Sequence, residues 1–488
     1  MSYLGHSNYG IALAMLAALK HDGKAFCSTF KVGTTHESRK IHGLRIYGGR
    51  LRTPRAVLIV GGAHAREMIP PESVLLFAWK ICRSYANGND ITFGGKTYPA
   101  SIVALLVESL EIIVVPLANP DGRAWVETAD QNWRKNRRPP PAPGGCRGAD
   151  TNRNYDFLFS SGLGTSTSPC AYEVYRGPNA QSEPEVKALR DLIDRQPNIR
   201  GVLDVHSYTG LILYPWGDDQ NQSTNAAMSF LNPTFDGLRG IKGDNYREHI
   251  LSSDWKWYQE TAARMRDGAH EVAQRTYVPT QGIDLYATSG TLSDYAYSRH
   301  LAEQAFPKIL GMAVEIGFAS DGQFRPTGNA AKVVRDEGVV LIIEFCLAMI
   351  CTGDAVLSSS RAARKFSDEL RSLRAELKES PAGQRYVEWS TSLAGRILVS
   401  LADPHVAKEL PGLVKEFRAW WNAKNQPLSD EAAKLAGDFL ATLRKRGPAE
   451  LAPAIDAFMA DIERMTGNPA SKAIRTIRAK PKSARTTS

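Results

Sequence analysis

The sequence predicts an α/β protein: a central sheet flanked by helices, followed by an all-α C-terminal region. Three observations carry this expectation. Short apolar runs bounded by turn residues recur up to residue 350, and segments with helical spacing lie between them. Beyond residue 352, Ala, Leu, Glu, Lys and Arg dominate with strong helical periodicity.

In chain order, Ile11–Leu19 (IALAMLAAL) is expected to be a buried helix. It is too short to span a membrane, and no Lys or Arg precedes it as a signal peptide requires. Ala56–Val60 (AVLIV), Glu111–Leu117 (EIIVVPL), Val202–Val205 (VLDV) and Met312–Ile316 (MAVEI) read as buried strands. Pro71–Ser84 and Ser182–Arg195 read as helices between them, and the wholly polar Gln220–Asn225 as an insertion loop. In the C-terminal part, DELRSLRAEL, LPGLVKEFRAWW and AAKLAGDFLATLRKR each carry an apolar stripe. The expected organisation is a sheet domain over 1–352, a helical region over 353–470 and a basic, solvated tail over 471–488.

The chain has 488 residues, 43% hydrophobic, which suffices for a large core and more than one domain. No apolar run reaches the length of a membrane span. A formal charge of +9 favours acidic surfaces without naming one. The basic tail and WRKNRR (133–138) raise a nucleic-acid-binding alternative, which the central motifs do not require, so nucleic acid is not expected as a partner. No partner for the helical region can be named.

Chemistry concentrates at strand ends, where active sites of such sheets gather. His64, Asn119, His206 and Glu315 all fall there. His64 and Glu67 in GGAHAREM, if joined by His206 in VLDVHSY, would make the ligand set of a catalytic zinc, two His and one Glu with a coordination position left open; H-x-x-E by itself equally fits hydrogen-bonded structural residues. His36, His42 and His249 lie in charged, motif-free sequence and read as structural. A glutamate within an apolar strand is costly to bury without a partner, which marks Glu315 as functional. Asn152 and Arg153, side by side, read in isolation as a surface turn with a solvated Arg, although such a pair can also hold a carboxylate, which a guanidinium grips bidentately.

From about residue 30 to about residue 350 the chain resembles the zinc carboxypeptidases of the carboxypeptidase A/B family, with seven motifs in the family's order. AHARE matches the metal motif, with Arg66 at a substrate-binding arginine. NPDG (119–122) matches a family loop, and NWRKNR brings Arg134 to the electrophilic arginine. ADTNRNYD brings Asn152 and Arg153 to the carboxylate-gripping pair. DVHSY brings His206 to the third ligand, with Ser207 and Tyr208 beside the substrate. YATSGTLSDY brings Tyr286 to the mobile tyrosine, and AVEIG brings Glu315 to the catalytic glutamate.

The resemblance implies a mixed parallel and antiparallel sheet. It implies a zinc metallocarboxypeptidase with one Zn²⁺ per chain, which hydrolyses the C-terminal amide bond of peptides or proteins. Ser293 occupies the pocket-floor position where basic-residue enzymes carry Asp, and with Thr288, Thr291 and Leu292 it implies release of neutral residues. Cys146 and Cys170 stand where animal members form a disulfide, which would close about two dozen residues and add roughly 3 kcal/mol. That pair favours an oxidising, extracytoplasmic compartment, while the lack of an export signal leaves the cytoplasm open. Cys27, Cys82, Cys346 and Cys351 read as buried thiols. His64 lies too near Met1 for the inhibitory pro-segment of digestive members, so synthesis without that segment is expected, and the stretch from His206 to Tyr286 looks longer than theirs. Two alternatives remain: a D,L-type carboxypeptidase of peptidoglycan peptides or another amide hydrolase, and a non-catalytic peptide-binding protein.

Overall fold

A computed structural model describes residues 8–23, 25–49, 54–350 and 429–446, together with positions 416, 455, 456 and 459. The expected helical region 353–470 lies outside the described residues except at those positions, as do the tail 471–488 and Cys351.

Asn8 caps the first helix, α1 (Tyr9–Asp22), by accepting from the Ile11 amide. The helix buries Ala12, Leu16 and Leu19 and leaves Ile11 exposed, so only one stripe faces protein. Strands β1 (Cys27–Thr34), β2 (Lys40–Ile46) and β3 (Arg55–Gly61) precede α2 (Ile69–Asn87). The small hairpin β4 (Ile91–Phe93) and β5 (Lys96–Tyr98) leads to α3 (Ala100–Ser109), β6 (Leu110–Val115) and α4 (Pro120–Thr128). Then follow α5 (Pro184–Arg195), β7 (Ile199–His206), β8 (Leu211–Tyr214), β9 (Asn221–Gln222), β10 (Glu248–His249) and α6 (Ser252–Ala273). Strand β11 (Val278–Gln281), α7 (Gly282–Leu285), α8 (Leu292–Ala302), β12 (Leu310–Glu315) and α9 (Gly328–Met349) complete this part.

Eight strands form one sheet in the order β1-β2-β6-β3-β7-β12-β8-β11. The central four are parallel, and the sheet turns antiparallel at β2–β6 and at β12–β8, so it is mixed. Strand β6 is buried throughout and β3 from Ala56 onward, the pattern of parallel strands covered on both faces. Helices α2, α9 and α6 pack side by side, while α5 packs on β1 and α8 on β12. Gly311 permits that last approach: a Cβ there would lie 2.1 Å from the Ser293 carbonyl oxygen. The polar stretch Gln220–Asn225 is not all loop, because Asn221 and Gln222 pair with Glu248 and His249. A backbone ladder needs no apolar side chains, so polarity alone concealed it.

The described residues fall into two units. The first holds the sheet. The second comprises 49, 104–109 and the described positions from 350 onward, including helix α10 (Asp430–Arg446), which covers the expected AAKLAGDFLATLRKR helix. Among the described residues no helix is long and apolar enough to cross a membrane.

Candidate metal centre and substrate cleft

Three strand ends build the site. His64 follows β3, and Glu67 lies in the same loop, two residues before α2; His206 is the last residue of β7 and Glu315 the last of β12. The His64–Glu67 loop is clamped by buried side chains. Asn119, after β6, donates to the carbonyls of Ala63 and Lys135 at 3.1 Å and accepts from the Gly122 amide. Arg123 of α4, fully buried, donates to the carbonyls of Ala65, Glu67 and Met68 at 3.3–3.4 Å. The NPDG motif is therefore the scaffold under the loop.

His64, Glu67 and His206 are buried, and their donor atoms lie within 4.8 Å of one another. His64 Nδ1 is 2.6 Å from Glu67 Oε1, and His206 Nδ1 is 3.1 Å from His64 Nδ1 and 3.2 Å from Glu67 Oε2. Each imidazole turns its other nitrogen to a buried carboxylate: His64 Nε2 to Asp150 at 3.2 Å and His206 Nε2 to Asp204 at 2.8 Å. The Asn152 amide lies 3.1 Å from the same His206 nitrogen. Carboxylates at Nε2 fix the N–H there and leave both Nδ1 lone pairs converging beside a carboxylate, an arrangement that a divalent cation satisfies. The donor set thus fits zinc.

The electrostatics agree. Burial alone would raise the Glu67 carboxyl, but the His64 and His206 imidazoles hold it well below the carboxylate range. Burial opposes ionisation of Asp150 as well, yet Arg134 and His64 keep it ionised. Asp150 also accepts from Arg134 Nε at 3.0 Å and from the Asn152 amide at 2.9 Å, so one carboxylate orients His64, the arginine and the next turn.

Glu315 retains some exposure at the end of β12, so it is not the fully buried strand residue the sequence suggested. Enough protein surrounds its carboxyl that burial and the charge of Glu67 push it up to about 7, against the pull of His206 and Arg134. The segment after it is anchored by a network absent from the sequence reading. Tyr277 Oη accepts from the Gly317 amide at 3.0 Å and donates to Glu337 at 2.9 Å, while Arg275 bridges Glu337 and Asp321.

Buried Arg153 donates to the Asn152 carbonyl, to the Gly164 carbonyl and, through Nη2 at 3.1 Å, to the hydroxyl of the exposed Tyr286. Asn152 Oδ1 accepts from the Leu292 amide at 2.9 Å, tying this pair to the start of α8. The segment between Tyr286 and α8 can lie this close because of Gly290, whose φ is +69° and whose Cβ would sit 2.4 Å from the Arg153 carbonyl oxygen. Ser207 N donates to Glu67 at 3.2 Å, and the Tyr208 ring stands edge-on to Phe324. Arg66 stacks 4.3 Å from the same Phe324 ring and pairs with Glu173 at 2.6 Å. Ser293 lies on the first turn of α8, its hydroxyl 3.4 Å from Thr291. A disulfide joins Cys146 to Cys170, while Cys27, Cys82 and Cys346 are free and buried.

Asp150 and Asp204 were not singled out from sequence. Each sits two residues before a selected position, Asn152 and His206, and along β7 that spacing returns a side chain to the same face.

Comparison with known proteins agrees with this geometry. A family model described as zinc carboxypeptidase matches residues 12–333. Carboxypeptidase B of Astacus astacus is 31% identical over 348 residues, 71% of this chain and 98% of that protein. Carboxypeptidase A4 of Mus musculus is 34% identical over 252 residues, 50% of this chain, so the match spans only 56% of that relative's length. Two solved structures share the fold. Thrombin activatable fibrinolysis inhibitor has a TM-score of 0.56 at 20% identity, covering 71% of this chain and 74% of that one. Carboxypeptidase A of Helicoverpa armigera has 0.52 at 22%, covering 70% and 74%.

Proposed function

We infer that this chain, which belongs to the zinc carboxypeptidase family, is a metallocarboxypeptidase that hydrolyses the C-terminal amide bond of peptides or proteins with one zinc ion per chain. One observation carries the reading: His64, Glu67 and His206 converge in a buried cluster, with Glu315 paired to His206 in the neighbouring strand. Zinc held by His64, Glu67 and His206 would supply a Lewis acid that polarises a carbonyl oxygen and lowers the pKa of water.

The rest falls to the protein. Glu315, with its carboxyl near pH 7, is matched to take a proton from the attacking water and return it to the leaving amine. Asp150 anchors Arg134 through Nε, which leaves the terminal nitrogens to face the carbonyl oxygen as negative charge develops. Arg153 and Asn152 hold the substrate's terminal carboxylate, and Tyr286, already hydrogen-bonded to Arg153 at the rim, closes over it. Arg66, Ser207 and Tyr208 line the approach for the preceding residues.

Thr288, Thr291 and Ser293 give the side-chain pocket neutral polar walls, which supports release of neutral residues. A second reading, release of cationic residues, is favoured by the fully buried Asp218, next to Gly217. Its carboxyl lies within hydrogen-bond reach of the Glu248 carboxyl, and no nitrogen donor meets either oxygen among the described residues. Burial and the charges of Glu248 and Asp294 push its carboxyl well above the ordinary range, and Arg239 Nε stays 3.9 Å away. A Cβ on Gly217 would sit 2.3 Å from Thr288 Oγ1 and 2.7 Å from Asp294 Oδ2, which puts Asp294 directly against the segment that carries Asp218.

The test is a panel of N-blocked dipeptides differing only in the last residue, each as free acid and as amide, with and without a chelator. Cleavage of free acids alone, abolished by chelation and restored by zinc, is expected. Activity that survives chelation would remove the metal from the reaction, and Lys or Arg outranking Leu or Phe would select the second reading.

A further inference from the structure

Two thiols outside the cleft have no part in the proposed reaction. Cys27 opens β1 and Cys82 lies in the penultimate turn of α2, 55 positions apart in sequence, yet their Sγ atoms are 3.0 Å apart and both are buried. Gly23 helps to hold one partner in place: a Cβ there would stand 2.8 Å from Cys27 Sγ, so no other residue leaves that sulfur its present position. Closing the gap to a covalent S–S bond of about 2.0 Å needs only about 1 Å of side-chain movement. The same chain already carries the Cys146–Cys170 disulfide, so conditions that form one act on the other.

We propose that Cys27 and Cys82 form a second disulfide, which pins the edge strand β1 to the helix that emerges from the metal-binding loop. The reaction is thiol–disulfide exchange. The thiolate of one cysteine attacks a small disulfide such as oxidised glutathione and releases one glutathione thiol. The second cysteine then displaces the other glutathione from the mixed disulfide. In sum, two protein thiols give up two electrons and two protons and yield one S–S bond, and the oxidant becomes two thiols. Both sulfurs are buried in the folded chain, so the exchange takes place during folding, before α2 closes over β1, and the finished bond is shielded from reductants. The final turns of α2 are thereby tied to the sheet edge, and its first turn, next to Glu67, belongs to the same rigid element.

The full chain, refolded in a glutathione redox buffer and then denatured without reductant, is titrated for free thiols, and its peptides are mapped. The chain has six cysteines. Two reactive thiols and a linked Cys27–Cys82 peptide are expected; four or more thiols, or no such peptide, overturn the proposal. As an independent readout, Cys82→Ser is expected to melt several degrees below the parent without reductant and to match it within a degree when both have been unfolded, reduced and refolded in reductant. An equal deficit in both conditions would assign the loss to packing and reject the disulfide. Zinc content and peptide hydrolysis at 25 °C should be the same in both proteins, because neither sulfur touches the cleft.

Discussion

Glu315 and His206 are ladder partners: the last residues of β12 and β7 stand opposite each other in the parallel pair, and the Ile316 amide donates to the His206 carbonyl at 2.8 Å. The proposed proton carrier and a proposed metal ligand are thus held at adjacent strand ends by backbone hydrogen bonds, independently of loop motion. Substitution at Glu315 should therefore leave the metal cluster intact. Glu315→Gln is expected to lower kcat by roughly 10²–10⁴ with zinc content unchanged. Full turnover in a zinc-replete sample would strip Glu315 of the role.

Asp204 touches His206 on the side away from the metal position, so its effect should appear as affinity rather than as turnover. Asp204→Asn is expected to weaken zinc binding by about 10–100-fold, because the amide no longer fixes the imidazole tautomer. Competition against a chelator of known affinity measures this, and kcat at saturating zinc should change far less than KD for the metal.

Which features were legible in sequence follows from where each residue sits. Strands β3, β6, β7 and β12 are buried on both faces and so appear as continuous apolar runs. Strands β1 and β11 lie at the sheet edges with mostly partial exposure, and nothing in their composition sets them apart from loop. Helix α9 is buried around most of its circumference along its second half, which erases the amphipathic stripe. The His64–Glu67–His206 cluster could be anticipated because His64 and Glu67 share one loop and His206 closes an apolar strand. The supports could not: the carboxylates at Nε2, the Arg123 clamp and the Tyr277–Glu337 network depend on loops that meet only in the fold. The acids Asp218, Glu248 and Asp294 are likewise scattered along the chain.

Arg153, the proposed carboxylate-binding residue, is oriented by its own neighbours, through the Asn152 and Gly164 carbonyls and Tyr286. Arg153→Ala is expected to raise KM for free-acid dipeptides by about 10–100-fold, the loss of a charge-assisted pair of hydrogen bonds. The variant should also lose discrimination against C-terminal amides. A KM unchanged in the variant would place the carboxylate elsewhere in the cleft.

The Cys146–Cys170 disulfide spans a sequence separation of 24 residues that includes Asp150, Asn152 and Arg153. The double variant Cys146→Ser/Cys170→Ser is expected to lose about 3 kcal/mol of unfolding free energy, the loop-closure entropy of that span. Denaturant titration reads the loss. Because the span carries the proposed carboxylate clamp, KM should rise more than kcat falls.

Asp294 offers a pH test with a definite sign. Burial pushes its carboxyl up to about 7, although Thr291 Oγ1 and the Gly217 amide donate to it. In the unfolded chain an aspartate titrates near ~3.9. Between these values the folded state binds more protons than the unfolded state, so the contribution of Asp294 to stability is complete below pH ~4 and is lost as pH rises through ~7. Asp294→Asn removes this titration and keeps the side-chain shape. The stability of the parent relative to Asp294→Asn should fall by up to about 1.4 kcal/mol per pH unit across that window and level off above it. Unfolding curves at several pH values from 4 to 8 measure the difference. A difference that stays flat with pH would mean that Asp294 is ionised throughout and that a cation near the pocket wall compensates it.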